Sequence, residues 1–312
     1  MNEHPPVSVL MPVYNAARYL AEAVESIRAQ TFGDFELIAV DDGSTDRSLK
    51  ILQQFANADS RVKIVSRPNT GIVGALNDGL SVAGGEFVAR MDSDDLATPA
   101  RFAKQLAAMQ QDRECVALGS AVLFTDPKGR PLKAYRPPVD HAAIEEELAR
   151  GNGGALIHPT VLFRRAALIQ CGGYRQQYNF IEDLDLYVRL LAVGRLGNLP
   201  DVLLHYRQHA NSVNHLKGSR SVQAAEIIAP LRQSKRLPPL TPEQLAKDAP
   251  KLTRLDDCYR KWALDAAEGQ NFQSAWANAV QAVRRNPWEK ANWSCLRYIY
   301  GCKRAAKTVT QK

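Results

Sequence analysis

The chain has 312 residues, of which 45% are hydrophobic, and a formal net charge of +7. This length and apolar content exclude a disordered chain and fit one large domain with a smaller piece. Five cysteines without a C-x-x-C pair argue against a disulfide framework or a zinc site and suit a reducing compartment. No apolar run approaches the roughly 20 residues that span a bilayer, so we expect no integral membrane protein.

Charge is unevenly spread along the chain. Residues 216–312 carry 18 Lys/Arg and 8 Asp/Glu, which leaves residues 1–215 weakly acidic at −3. A basic C-terminal region is typical of a solvated helical surface, and the main alternative is docking on an anionic membrane surface. No aromatic-flanked basic RNA motif accompanies it, so we expect no nucleic-acid partner.

The first hundred residues alternate short apolar runs with amphipathic stretches, the pattern of β-α-β units that build a parallel sheet. The predicted strands are Val7–Met11, Phe35–Val40, Val62–Val65 and Glu86–Met91, and the predicted helices lie near Ala17–Gln30, Thr45–Ala58 and Val73–Ala83. In the first helix Leu20, Val24 and Ile27 recur every three or four positions, as a buried helix face requires.

Candidate ligand-binding residues follow each predicted strand. They are Pro12, Val13, Tyr14 and Asn15 after the first, Asp41 and Asp42 after the second, Arg67 and Asn69 after the third, and Asp92, Ser93, Asp94 and Asp95 after the fourth. Right-handed crossovers bring the carboxyl ends of parallel strands to one edge, where ligands of such sheets bind. We therefore expect a binding site at this edge.

Asp92, Asp94 and Asp95 crowd three carboxylates into the segment MDSDD. Carboxylates repel one another, so such a cluster persists where a cation shares the site, and this predicts a divalent metal. The alternative is a solvated acidic loop that caps the next helix. Asp41 also has two interpretations: it accepts a hydrogen bond from a pyrimidine N–H or a ribose hydroxyl, or it serves turn chemistry with Gly43.

Several longer segments resemble the family 2 glycosyltransferases. They are PVYNAARYLAEAVESIRAQTFGDFELIAVDDGSTD (12–46), RPNTGIVGALNDG (67–79), MDSDD (91–95), IHPTVLFRR (157–165), EDLDLYVRL (182–190) and YRQHANSV (206–213). The resemblance implies the GT-A fold, an α/β doubly wound, mostly parallel sheet flanked by helices. It also implies a nucleotide-sugar donor, Mn2+ or Mg2+ as cofactor, and inversion of the anomeric centre.

Carried over position by position, the resemblance implies two sets of ligands at the donor end. The nucleotide-sugar ligands are Pro12, Val13, Tyr14, Asp41, Arg67, Asp92, Ser93 and Asp94, and the metal ligands are Asp92, Asp94 and His209. Asp95 is a further candidate for the metal, and Arg207 is a further candidate for bidentate contact with the pyrophosphate. The carboxylates belong to the family's DXD element, which holds the metal-bound diphosphate. His158, before a proline, is expected to be a core or loop histidine.

An inverting transfer needs one general base for the acceptor hydroxyl. The resemblance assigns this role to Asp183 in the ED motif, with Glu182 as a further candidate. Leu184, Leu186 and Phe180 are expected to remove water from the carboxylate and to raise its pKa. The alternative is that acidic residues here only stabilise the first turn of a helix through its dipole.

Beyond Val213 the resemblance fades, and the rest reads as a small C-terminal helical extension. We expect a glycosyltransferase domain at 1–215, with a nucleotide-sugar half at about 1–100 and an acceptor half at about 101–215, then a linker with short helices at 216–250 and a helical hairpin with a basic tail at 251–312. Trp262, Trp276, Trp288 and Trp293 are expected in the core of this hairpin, and the alternative is a sugar-binding platform.

The sequence thus predicts an inverting glycosyltransferase that transfers a sugar from a nucleotide-diphosphate sugar to a glycan or lipid-linked acceptor. A UDP-sugar is the preferred candidate for the donor, and the expected process is cell-envelope or surface-polysaccharide biosynthesis. We expect it in the cytoplasm, and a lipid-linked acceptor would bring it to the inner face of the plasma membrane. The alternatives are a sugar nucleotidyltransferase, although PVYNAARY lacks the expected Gly-rich loop, and a non-catalytic metal-binding regulatory module.

Overall fold

The computed structural model describes residues 4–210, 220–246 and 254–310, and for 307–310 it describes the backbone only. The chain forms two compact units. The first comprises Met1–Val122, Arg136–Leu204 and Ser219–Asp248, and the second comprises Leu123–Tyr135, His205–Gly218 and Ala249–Lys312. Among the described helices, none has the combined length and hydropathy that a membrane span requires.

The described part of the chain contains one sheet of nine strands. They are β1 (Val7–Val13), β2 (Phe35–Asp42), β3 (Val62–Arg67), β4 (Phe87–Arg90), β5 (Leu96–Ala97), β6 (Cys115–Thr125), β7 (Pro131–Tyr135), β8 (Leu162–Arg164) and β9 (Arg195–Arg207). The strand order is β3-β2-β1-β4-β8-β6-β9-β5, and β7 pairs with β6.

The parallel half of the sheet consists of β3, β2, β1 and β4, which confirms the prediction for the first hundred residues. β8 then runs antiparallel to both β4 and β6. β1, β2 and β3 each continue two residues beyond their predicted apolar runs. Backbone pairing between β1 and β2 extends to Asp41, and pairing between β2 and β3 extends to Asp42 and Arg67. These predicted site residues therefore belong to the strands and not to the loops that follow them.

Twelve α-helices are present in the described residues. They are α1 (Leu20–Arg28), α2 (Ser48–Ala58), α3 (Ile72–Val82), α4 (Arg101–Gln111), α5 (His141–Ala149), α6 (Arg165–Gln170), α7 (Glu182–Leu190), α8 (Ser221–Ser234), α9 (Pro242–Leu245), α10 (Leu255–Glu268), α11 (Phe272–Arg285) and α12 (Lys290–Thr310). Leu20, Val24 and Ile27 of α1 are buried, as their spacing predicts.

The main core lies in the first unit, where helices cover the sheet with apolar side chains. Leu10 and Ile38 of the parallel strands, Leu76 of α3 and Leu186 of α7 belong to one buried cluster. The 14-residue helix α8 joins the same cluster through Ile228 and its buried neighbours. It lies within the stretch that sequence assigns to a linker and short helices.

The second unit has its own core around Trp262, which is fully buried in α10. Trp276 of α11 packs against that core and is partly buried. The expectation that all four tryptophans are core residues is wrong for Trp288, which is 91% exposed, and for Trp293, which is 45% exposed. The turn before α12 and one face of that helix point to solvent, which helical spacing alone does not reveal.

Candidate active site

The carboxyl ends of β1 and β2 lie side by side because the two strands pair in parallel register. Val13 is the register partner of Asp41, and Asp41 is paired in turn with Ser66 of β3. Pro12 is half-buried, and Tyr14 follows the strand with 54% of its surface exposed. The structure therefore brings the predicted base-binding residues of the first two strands to one edge of the sheet.

Asn15 joins the loop after β1 to the loop after β2. Its side-chain Oδ1 accepts hydrogen bonds from the backbone N–H groups of Thr45 (2.8 Å) and Asp46 (3.2 Å), and its own N–H donates to Ser44 Oγ at 3.0 Å. Asn15 has a φ of 49°, in the left-handed region that asparagine tolerates better than most residues. These bonds fix both loops at the sheet edge that carries Asp41.

Asp42 stabilises the bend between β3 and α3. Its carboxylate accepts hydrogen bonds from the N–H groups of Thr70 (3.1 Å) and Gly71 (2.9 Å) and lies 3.3 Å from Arg67 Nε. Arg67 Nη1 also lies 2.6 Å from a carboxylate oxygen of Asp78. The guanidinium of Arg67 thus has two acidic partners within the chain, and its assignment to the nucleotide sugar stays a prediction.

Asp41 is as deeply buried as Asp42 but has fewer contacts. Its Oδ2 lies 3.5 Å from Ser66 Oγ, whereas its Oδ1 has no hydrogen-bond partner among the described residues. A buried carboxylate oxygen without a donor is costly, so such atoms call for an explanation. A ligand N–H or hydroxyl would supply the missing donor, which is the role that the sequence predicts for Asp41.

Three carboxylates gather directly after β4. One oxygen from each of Asp92, Asp94 and Asp95 lies within 4.8 Å of the other two. Asp95 is 1% exposed, while Asp92, Ser93 and Asp94 are half-buried. Oxygen donors grouped in this way are the ligands that Mg2+ and Mn2+ prefer. The predicted cluster is therefore formed, and its donor set fits a divalent cation.

Arg90, the last residue of β4, is buried beside this cluster. Its Nη1 lies 2.5 Å from Asp92 Oδ1. Burial alone would lower the pKa of Arg90, but Asp92, Tyr174 and Glu182 outweigh that effect and raise the pKa above its usual value. Sequence reasoning missed Arg90, although a charged residue at the end of the apolar strand FVAR signals a buried partner.

His158, Tyr174 and Tyr187 form a buried polar group within the electrostatic reach of Arg90. The Nε2 atom of His158 lies 3.0 Å from Tyr174 Oη, and the rings of His158 and Tyr187 meet edge to face at 6.1 Å. Burial and the charge of Arg90 hold the pKa of His158 well below its usual value. His158 is therefore a buried core histidine, which is one of the two places that the sequence predicts for it.

Glu182 and Asp183 begin α7 and complete this region. Glu182 is buried and Asp183 is half-buried, with Asp183 Oδ1 accepting a hydrogen bond from the N–H of Leu184 at 2.8 Å. Burial raises the pKa of Tyr174 above its usual range, and the charges of Glu182 and Asp183 add to the rise while Arg90 opposes it. The two acids of the ED motif, Arg90 and Tyr174 therefore influence one another electrostatically.

Gly153 lies beside Asp183 and Leu184. A Cβ on Gly153 would lie 3.7 Å from both carboxylate oxygens of Asp183 and 3.5 Å from Leu184. Leu184 is buried as predicted, whereas Phe180 is 39% exposed. The described structure thus gives the carboxylate an apolar neighbour on one side, and its role as general base stays a prediction.

Asp185, the third acid of α7, has a structural role. Its carboxylate lies 2.6 Å from Arg189 and 3.6 Å from Arg175. Arg189 also donates a hydrogen bond to the carbonyl oxygen of Cys171 at 2.6 Å. Asp185 therefore ties α7 to its neighbours, which distinguishes it from Asp183.

Arg207 and His209 belong to the second unit. Arg207 ends β9, is 3% exposed and lies with Nη1 3.4 Å from the carbonyl oxygen of Pro127. His209 follows β9 by two residues and is half-buried. Their assignment as diphosphate and metal ligands stays a prediction.

Comparison with known proteins identifies the family. A sequence profile described as glycosyl transferase family 2 matches residues 8–172. The amylovoran biosynthesis glycosyltransferase AmsE of Erwinia amylovora is 34% identical over 215 residues, which are 68% of this chain and 79% of AmsE.

Solved structures support the same fold. TarS 1-349 of S. aureus in complex with UDP-GlcNAc aligns with a TM-score of 0.59 at 18% identity, over 96% of this chain and 92% of TarS 1-349. The mannosyltransferase PcManGT of Pyrobaculum calidifontis, in complex with GDP-Man and Mn2+, aligns with a TM-score of 0.54 at 17% identity, over 99% of this chain and 88% of that enzyme. The solved structures thus show the GT-A fold, and the profile match and the relationship to AmsE show that the chain belongs to glycosyl transferase family 2.

Proposed function

We propose that the chain is an inverting, metal-dependent glycosyltransferase that moves a sugar from a nucleotide-diphosphate sugar to a hydroxyl acceptor. The observation that carries this proposal is the meeting of Asp92, Asp94 and Asp95 within 4.8 Å at the end of β4. These carboxylates share a sheet edge with Asp41, since β4 and β2 both pair in parallel with β1. A nucleotide sugar has one part for each of these groups: a base, which would bind at Asp41, and a diphosphate, which would bind a cation held by the three carboxylates.

Asp41 is proposed to receive the nucleobase or the ribose. Its unpartnered Oδ1 is an acceptor only, so it selects a ligand N–H or hydroxyl and rejects another acceptor. Uracil offers such an N–H, which favours a UDP-sugar as donor. Pro12, Val13 and Tyr14 extend along the neighbouring strand end and would flank the base. Ser93, between the cluster aspartates, would add a hydroxyl toward the diphosphate.

Asp92 and Asp94 are proposed to hold Mn2+ or Mg2+, with Asp95 as a further ligand. A divalent cation bound there would act as a Lewis acid and neutralise the charge that develops on the departing diphosphate. The chain's own contribution is to fix the carboxylates. Arg90 does this for Asp92 through their ion pair, and Asp95 is held by its burial.

Asp183 is proposed to accept the proton of the acceptor hydroxyl. A direct displacement needs a base on the face opposite the leaving group, and a carboxylate placed within hydrogen-bond reach can serve. Its half-burial and the hydrogen bond from Leu184 restrict its rotamer. Glu182 is proposed as a supporting residue on the acceptor side.

The acceptor is proposed to be a glycan or a lipid-linked saccharide in cell-envelope or surface-polysaccharide biosynthesis. The support is the relationship to AmsE, a glycosyltransferase named for amylovoran biosynthesis. A lipid-linked acceptor would be met at the inner face of the plasma membrane, where cytoplasmic nucleotide sugars are available.

Thermal unfolding in the presence of nucleotide sugars, with and without Mn2+, tests the proposal directly. A ligand that binds only the native state raises Tm, by an amount equivalent to about 2.7 kcal/mol at a hundred times its Kd. We expect a UDP-sugar with Mn2+ to raise Tm and the same sugar with a chelator to raise it much less. If no nucleotide sugar changes Tm under either condition, the proposal is wrong.

A further inference from the structure

A stripe of alternating basic and aromatic side chains runs along α12 in the second unit, and we propose that it docks the protein on anionic lipid headgroups. The stripe, called here the α12 stripe, consists of Lys290, Trp293, Arg297, Tyr300 and Arg304, all of them exposed. Their spacing of three and four residues places them on one face of the helix. Docking of this kind does not depend on the proposed chemistry.

The charge of this region is almost entirely positive. Residues 272–306 include six Lys/Arg and a single acid, Glu289. The Glu289 carboxylate lies 3.6 Å from Arg254 Nη1, and its side chain is 35% exposed. No acidic residue lies between Lys290 and Arg304. A cation held near an anionic membrane contributes about 1 kcal/mol to binding, so the stripe has the charge that such a surface attracts.

Aromatic side chains of the same region give the charge an apolar anchor. Trp288 is 91% exposed in the turn before α12, and Trp293 and Tyr300 are 45% and 52% exposed. The indole N–H of Trp293 donates to the carbonyl oxygen of Pro287 at 2.8 Å, which holds the turn that carries Trp288 beside the stripe. Tryptophan and tyrosine favour the headgroup level of a bilayer, since their rings are apolar and their tips polar.

The stripe is presented on a rigid support. The opposite face of α12 is buried through Asn292, Cys295 and Ile299. On the exposed side, Arg304 lies 5.8 Å over the ring of Tyr300, whose centroid is 6.2 Å from that of Trp276 in α11. Single-stranded nucleic acid also combines cations with stacking rings, but it follows a groove, whereas this stripe lies on a convex helix surface.

Vesicle flotation of the full-length protein tests the proposal. The vesicles contain phosphatidylglycerol and phosphatidylethanolamine, or phosphatidylcholine alone. The test variants are Arg297→Gln with Arg304→Gln, and Trp288→Ala. The matched control is Lys50→Gln with Arg113→Gln, which removes two exposed charges from the first unit. Circular dichroism melts check that every variant folds.

The wild type and the control should float with the phosphatidylglycerol vesicles and not with phosphatidylcholine. The double arginine variant should bind about 30-fold more weakly, from about 1 kcal/mol for each cation. Trp288→Ala should bind several-fold more weakly. Absence of vesicle binding, equal binding to phosphatidylcholine, or equal binding of the arginine variant and the control would overturn the proposal. The donor-induced change in Tm is measured separately, so its absence would count against the enzymatic assignment alone.

Discussion

Arg90 and Asp92 form an ion pair of 2.5 Å where β4 ends, between the acidic cluster and the buried group of His158, Tyr174 and Tyr187. The guanidinium is a resident cation beside one of three crowded carboxylates, so it offsets part of their mutual repulsion before any metal binds. The pair therefore links the stability of the first unit to the charge of the candidate metal site.

Replacing Arg90 with Met should lower stability and increase the response to metal. Loss of one partner of a buried ion pair typically costs about 3–5 kcal/mol, because the other charge is left uncompensated. Mn2+ would then supply the missing positive charge, so it should raise Tm more in Arg90→Met than in the wild type. Thermal unfolding with and without Mn2+ measures both effects.

Arg164→Met is the matched control for that experiment. Arg164 is a half-buried arginine of β8 that donates to the carbonyl oxygens of Cys115 and Met109, away from the acidic cluster. It should lose stability without any increased response to Mn2+. If the two variants gained equally from Mn2+, the proposed electrostatic link would not hold.

Asp94→Ala should abolish metal-dependent binding of nucleotide sugars. Asp94 supplies one of the three grouped oxygens, and the remaining two make a much weaker site. The rise in Tm with a UDP-sugar and Mn2+ should disappear, as should the heat of binding in calorimetry. Asp34→Ala, which removes an exposed carboxylate of the first unit, should behave like the wild type. A normal response from Asp94→Ala would remove this residue from the metal site.

Asp41→Asn and Asp42→Asn should separate binding from stability. Asp41 is expected to bind the ligand, so Asp41→Asn should raise the KM for the donor and change Tm little. The KM should rise about tenfold or more, which is the effect of losing a hydrogen bond to a charged group. Asp42 accepts bonds from Thr70 and Gly71, so Asp42→Asn should lower Tm. Steady-state kinetics and thermal unfolding distinguish the two, and a reversed pattern would exchange their roles.

Local sequence patterns predict the parallel half of the fold well, and for a physical reason. Alternating strands and amphipathic helices follow from the spacing of apolar residues, and right-handed crossovers then fix which edge carries Asp41 and the MDSDD segment. The antiparallel insertion of β8 next to β4 does not follow from those rules. It brings residues far apart in sequence into register, such as Ala89 and Leu162.

Which side chains become buried, and which partners they meet in the folded chain, could not be predicted from the sequence. The division of labour between Asp41 and Asp42 depends on the bend at Gly71, and the role of Arg90 depends on its burial beside Asp92. The exposure of Trp288 was also unpredictable, because helical spacing marks an apolar face without showing what covers it. Contacts made by the folded chain decide these points.

His158 should make stability depend on pH. Burial and Arg90 lower its pKa in the folded state below the ordinary value of 6.5, so the unfolded chain takes up a proton that the folded chain does not. The contribution of this pKa difference to the free energy of unfolding is complete above pH 6.5. It is lost as the pH falls below that value, by at most about 1.4 kcal/mol per pH unit. Urea unfolding between pH 5 and 8 should show a flatter profile for His158→Asn than for the wild type. Identical profiles would mean that this histidine is not the group responsible.

Asp183→Asn should separate chemistry from donor binding. The amide keeps the shape of the carboxylate but cannot take up the acceptor proton, so kcat should fall by about 10²–10⁴ while the donor-induced rise in Tm is retained. Asp185→Asn is the matched control, because it removes an acid from the same helical turn but breaks the contact with Arg189 instead. It should lower Tm and leave most of the activity of the folded enzyme. If Asp183→Asn turned over normally and lost only stability, the carboxylate would be a helix-stabilising residue, and the base would have to be sought elsewhere.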